Sequence, residues 1–300
     1  MTIRNFTFAV GTLVVMLLCW TTLRTLVTFS RHSDVFPYTG VIPLLSAALI
    51  YWERARIFSK VRNSFGLASL FLALGLVVRW CGARNTTILR AGDSLSVLTF
   101  ALVVLWIGVF VLSYGGECLQ AAAFPLLFLF LMTPLPHIVL DRTIPFLQGS
   151  SSQMAGVFFR LGGVPVFQDG FRFSLPGLDV EVARQCSGIR SGLALLITSI
   201  LMGHIFLDSF WRKLWLVLAA FPITVVKNGL RIVTIYWLSV HSSLGPVTTL
   251  AHRYGGVFFS LAGLLFLALF VFLLGGFDGT VSERPLLVCE VAEFRGQRRV

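Results

Sequence analysis

The stretch Val182-Ala183-Arg184-Gln185-Cys186-Ser187-Gly188-Ile189-Arg190-Ser191-Gly192 puts a cysteine where a strand-like region meets an apolar run. If that run is a helix, Cys186 stands at its N-terminus, where the helix dipole and unpaired N–H groups favour a thiolate. Arg190, one turn on, can approach the same face and act in the same sense. The plainer reading is a small buried residue with an arginine snorkelling to headgroups. Gly188 and Gly192, at small-xxx-small spacing, suit a helix-packing face better than a site.

A second polar group interrupts a long apolar run further on: Lys227, Asn228 and Arg231. Arg231 lies 18 residues past Lys213, about 27 Å at helical rise, near the far end of a span that begins there. Charged groups inside a span are costly and by default functional, facing the protein interior. Snorkelling explains Lys227 more readily than Arg231, which the apolar Ile232 and Val233 follow. His252 precedes a last apolar run opened by Gly255-Gly256. A lone histidine is usually a surface or capping group. Three consecutive spans nevertheless put Cys186, Arg231 and His252 at one membrane face, and a nucleophile, a cation and an acid or base together suit thiol acyl transfer.

His32, His137, His204 and His241 lack such a setting. There is no H-E-x-x-H, no carboxylate cluster and no cysteine pair, so neither a metal nor any other cofactor is expected. Gly-x-Ser-x-Gly and a phosphate-cradling glycine loop are absent too. Of the five cysteines, Cys19, Cys81 and Cys118 fall in or beside apolar runs and Cys289 near the C-terminus, where small apolar filler is the simplest reading.

These residues need a membrane to position them. The 300 residues are 56% hydrophobic and 12% charged, with a mean hydropathy of +0.86, which excludes a water-soluble core. Apolar runs approaching the ~20 residues that cross a bilayer recur along the chain. They predict an all-α polytopic membrane protein of about eight transmembrane helices: Phe6–Thr28, Tyr38–Trp52, Phe65–Trp80, Ser94–Tyr114, Cys118–Thr133, Gly188–Leu207, Leu214–Leu238 and Gly255–Phe277. The first reads as a membrane helix and not a signal peptide, because no small-x-small site follows. The net charge of +11 does not point to nucleic acid, since the basic residues are scattered between apolar runs, where they orient spans and meet anionic lipid.

Four regions follow: N-terminal membrane helices over 1–133, an extracytoplasmic interfacial segment over 134–186, membrane helices with the candidate site over 187–277, and a cytoplasmic tail over 278–300. Within the second, Ile138 to Leu161 has near-helical apolar spacing and reads as an interfacial amphipathic helix. Val164 to Phe167, Phe171 to Leu175 and Leu178 to Val182 alternate in polarity between Gly170 and Pro176-Gly177, predicting short β-strands. The dense run Arg54, Arg56, Lys60 and Arg62 assigns its loop to the cytoplasm and Cys186 to the outer face. Arg79, Arg84 and Arg90 then fall on the outer side, against the same rule.

At Cys186-Ser187-Gly188-Ile189-Arg190-Ser191, Asn228-Gly229-Leu230-Arg231-Ile232 and His252 the sequence resembles the exosortase/archaeosortase family of multispanning membrane cysteine transpeptidases, over roughly Phe124 to Phe277. The resemblance implies a multi-pass inner-membrane enzyme with its site on the outer face. Its partners would be exported proteins carrying a C-terminal signal of a short motif, often Pro-Glu-Pro, then a hydrophobic helix and a basic cluster, together with membrane lipid and a cell-envelope acceptor. It implies catalytic roles for Cys186, Arg231 and His252 and supporting ones for Arg190, Asn228 and Ser187. Gln185 stands where the family usually has a small residue. A transporter or channel, with Lys227, Arg231 and His252 along a polar path, is the reading from another class.

Overall fold

Long runs of Leu, Val, Phe and Ala leave a backbone in lipid with one way to satisfy its N–H and C=O groups within a single segment, the α-helix. The computed structural model, which describes residues 2–33, 35–62, 64–85, 90–184, 187–241 and 245–275, is accordingly helical almost throughout. The expected tail over 278–300 lies outside the described residues. The order is α1 (Thr2–Leu18), α2 (Trp20–His32), α3 (Val41–Trp52), α4 (Arg54–Ile57), α5 (Phe65–Arg84), α6 (Ala91–Tyr114), α7 (Gly116–Ala121), α8 (Ala123–Phe128) and a 3-10 turn (Leu129–Met132). Then follow α9 (His137–Leu161), β1 (Phe167–Asp169), β2 (Arg172–Leu175), β3 (Leu178–Glu181), α10 (Ile189–Phe206), α11 (Phe210–His241) and α12 (Gly245–Gly275).

Among the described residues five helices are long and apolar enough to cross a membrane, or up to seven if two bent pairs each count as one span. The protein is thus a multi-pass membrane protein, and the expected count of about eight is approximate. The first expected span breaks at Cys19, where α1 and α2 meet at 71°. Arg79 on α5 reaches that break: its Nη2 donates to the Leu18 carbonyl at 2.7 Å and its Nη1 to Cys19 Sγ at 3.7 Å. Arg79 therefore serves a broken helix, which accounts for a basic residue on the side where loop charge did not predict one. The fifth expected span, Cys118–Thr133, is three short pieces, and the last two continue past Thr133-Pro134-Leu135-Pro136 into α9 at 83°. Prolines 134 and 136 bar a continuous helix there.

In the N-terminal half α6 is the axis: 72% of its spanning window is buried, against 17% for α5. The two approach closely because Gly75 faces Leu105 and Gly108 faces Leu72, with no room for a Cβ at either. In the C-terminal half α10, α11 and α12 pack together and α9 lies against α11. Apolar packing joins the halves, with Ile197 of α10 in the N-terminal core, and polar contacts stand at both ends. His204 Nε2 of α10 lies 2.8 Å from Glu53 Oε1, with its ring stacked on Phe124 at 3.6 Å. At the other end Asp93 of α6 accepts the backbone N–H of His137 at 2.6 Å, capping α9, and Asp141 meets Arg90 at 3.4 Å and Arg184 at 3.5 Å.

The segment between α9 and α10 is a three-stranded antiparallel sheet in the order β1-β2-β3. Gly170 opens the first turn with φ of 57°, and Pro176-Gly177 makes the second, with φ of 83° at Gly177. Proline fixes the first corner of such a turn and glycine supplies the positive φ of the next. Along β2 exposed Arg172 and Ser174 alternate with buried Phe173 and Leu175. The buried face seats on α9 and α11: Phe173 meets Phe159 at 5.6 Å, Phe159 meets Tyr236 at 5.2 Å, and the Tyr236 hydroxyl donates to the Pro176 carbonyl at 3.2 Å.

Candidate functional site

Cys186 itself lies outside the described residues, and its neighbours define the surroundings. The chain reaches it from β3 through Val182, whose N–H donates to the Phe171 carbonyl at 2.9 Å and whose carbonyl accepts the buried Gln148 side chain of α9. It leaves through Ser187, fully buried, whose N–H donates to the Arg184 carbonyl at 3.2 Å and whose Oγ accepts from Ile189 N–H at 3.4 Å. Gly188 caps α10 in the left-handed region, at φ 82° and ψ 4°. A Cβ there would stand 3.1 Å from Asn228 Cγ. The position thus needs glycine twice over, for its backbone and for the closeness of α11.

Asn228 is buried against Gly188, and one turn along, Thr224 packs on Gly192, where a Cβ would stand 3.0 Å from Thr224 Cγ2. The small-xxx-small pair is thus a packing face onto α11. It also sets the register between the cysteine-bearing start of α10 and the polar part of α11. With Gly188 opposite Asn228 and Gly192 opposite Thr224, the start of α10 faces the turn of α11 that leads to Arg231. Arg231 is half-buried, and its Nε is buried without a hydrogen-bond partner among the described residues. A guanidinium N–H left so is a donor awaiting an acceptor.

Lys227 does not snorkel. It is 6% exposed, its Nζ donates to Ser191 Oγ on α10, and its stem packs where Gly263 of α12 leaves space beside Leu195. Lys227 and Arg231 stand one turn apart on α11, and no carboxylate pairs with either among the described residues. The arrangement can stabilise negative charge at the start of α10. The sequence carried a signal for Lys227 in its i, i+4 spacing to Arg231, with apolar residues on both sides.

Arg190 is exposed, so it does not share the buried face of Ser187, Gly188 and Asn228. His252 lies within α12, which begins at Gly245, ten residues before the expected start at Gly255. Since Gly263 packs on Lys227, His252 stands eleven residues, about 16 Å, further along the bundle, whereas Arg231 stands only about 6 Å beyond Lys227. The helices set Gly188 against Asn228, three residues before Arg231, and leave the backbone of His252 about 10 Å beyond the level of Arg231. Among the described residues no group of histidines, cysteines and carboxylates is placed to hold a metal ion.

A family model described as transmembrane exosortase matches residues 29–269, most of the chain. The chain belongs to that family. Exosortases are membrane cysteine peptidases or transpeptidases of protein sorting, acting on exported proteins with C-terminal sorting signals. No curated protein and no solved structure matches the chain. The match begins in α2 and ends in α12, so it takes in all three site-bearing helices of this exosortase and most of the N-terminal half.

Proposed function

We propose that this exosortase cleaves the C-terminal sorting signal of exported proteins through a thioester on Cys186, at the outer face of the inner membrane. The Cys186 thiolate attacks the peptide carbonyl just before the substrate's hydrophobic helix, and the carbonyl oxygen becomes an oxyanion that Arg231 stabilises. The C–N bond then breaks, His252 protonates the departing amine, and a thioester remains. His252 next takes a proton from an incoming amine, hydroxyl or water, which attacks the thioester, and the sulfur leaves as the Cys186 thiolate beside a protonated His252. Ser187 and Asn228 hold the start of α10 against α11, and Arg190, exposed one turn on, tunes or positions the thiol.

The observation that carries this reading is the contact of Gly188 with Asn228, which sets the two motif segments against each other with the unpartnered Arg231 Nε alongside. Co-expression with a reporter carrying a Pro-Glu-Pro motif, hydrophobic helix and basic tail tests the reading. Wild type should shorten the reporter and Cys186→Ala should not, while the mass of the new C-terminus distinguishes transfer from hydrolysis. Equal shortening by both would remove Cys186 from the chemistry. A transporter with Lys227, Arg231 and His252 along a polar path would instead keep its transport in Cys186→Ser.

A further inference from the structure

Away from the Gly188 end, a groove of about 910 Å3 opens between α1 and α3, with α6 as its floor. That volume is at the upper end of the roughly 300–1,000 Å3 typical of ligand sites. Phe8 and Met16 form one wall, Ala47 and Ile50 the other, and Trp106 and Phe110 the base. Ser46 also lines it, but its hydroxyl is taken up by the Pro125 carbonyl at 2.7 Å. The groove becomes polar at one end, where Asn5, Tyr51, Arg54 and Tyr114 meet.

On α6 the lining runs from Leu102 to Tyr114, about 18 Å at helical rise. A bilayer's hydrocarbon is about 30 Å thick, so the groove has roughly the height of one leaflet. At its polar end Arg54 is exposed, with its guanidinium 4.2 Å over the Tyr51 ring. Glu53, next to Arg54, is already engaged by Arg56 at 3.3 Å and His204 at 2.8 Å. An exposed guanidinium beside Asn5, Tyr51 and Tyr114, at the polar end of an apolar groove one leaflet deep, is complementary to a phosphate carrying acyl chains.

We propose that this groove seats an anionic phospholipid of the leaflet on the Tyr114 side, with its chains along α6 and its phosphate on Arg54 at the end where Asn5, Tyr51 and Tyr114 meet. The site is independent of the chemistry at Cys186. A substrate's signal helix is the other apolar occupant to weigh. It needs about 30 Å to span the bilayer, and its basic tail would be repelled by Arg54 at the polar end.

Full-length protein in mild detergent, titrated with phosphatidylglycerol or phosphatidylcholine and read by native mass spectrometry, tests the proposal. Phosphatidylglycerol should be retained at least about fivefold better, and Arg54→Gln, at an exposed position, should cut that preference about fivefold. Ala47→Trp, which fills the groove and leaves the charge, should reduce retention of both lipids. Equal retention of the two lipids by wild type, or phosphatidylglycerol retention unchanged in both variants, would overturn it. So would a photoreactive residue at Met16 that captures a co-expressed signal helix in place of lipid.

Discussion

Gly188 shows how a single residue joins two motifs. Its φ is 82°, and a methyl added there would press on Asn228. An L side chain in that left-handed region costs about 1–2 kcal/mol. Gly188→Ala should therefore lower thermal stability in detergent and abolish reporter processing. Gly192→Ala, on ordinary helical backbone against the movable Thr224 side chain, should be milder in both assays. Lys227 separates structure from function in another way. A buried cation without a carboxylate is a burden on stability, and replacing it by an apolar residue of similar shape is often neutral or stabilising. Lys227→Met should thus hold or raise the unfolding temperature while slowing processing; loss of both together would make Lys227 a packing residue.

The hairpin and α9 act as one clamp on α11. Phe173, Phe159 and Tyr236 form its buried centre, and the Gln148 to Val182 contact ties α9 to the strand that leads into Cys186. Phe173→Ala should cost about 3–5 kcal/mol where it is felt, in the sheet. Faster hydrogen exchange confined to the sheet and the outer turns of α11 would show this; uniform loosening of the bundle would contradict it. These elements were legible in sequence because their signals are local. Alternation around Gly170 and Pro176-Gly177 marked the strands, and helical spacing from Ile138 marked a helix that forms at His137–Leu161. The breaks at Cys19 and after Met132 differ in this respect. At Cys19 no Gly or Pro announces the bend, and the group that satisfies it, Arg79, comes from 60 residues away. The burial of Lys227 was hidden for the same reason, because Ser191 and Gly263 belong to other helices.

At the scale of the whole molecule, the N-terminal half is fastened to the half that holds α9 to α12 at both ends. The His204 to Glu53 pair fastens one end, with side chains 13% and 17% exposed, and Asp93 and Asp141 fasten the other. Glu53→Gln weakens a charge-assisted contact and frees Arg56, and should lower stability by about 1–3 kcal/mol. Cys186 alkylation should stay at the wild-type rate, because the change is at the far end of α10; an altered rate would mean that the halves are coupled through that helix. The central claim is that Cys186 holds the substrate as a thioester. Its most direct test is peptide mass spectrometry of wild-type enzyme isolated with its reporter and quenched in acid, which preserves a thioester. A reporter fragment attached to Cys186, released by neutral hydroxylamine and absent from Cys186→Ala, is the predicted result. A reporter that is shortened normally by Cys186→Ala, with no adduct on any enzyme peptide, would contradict it.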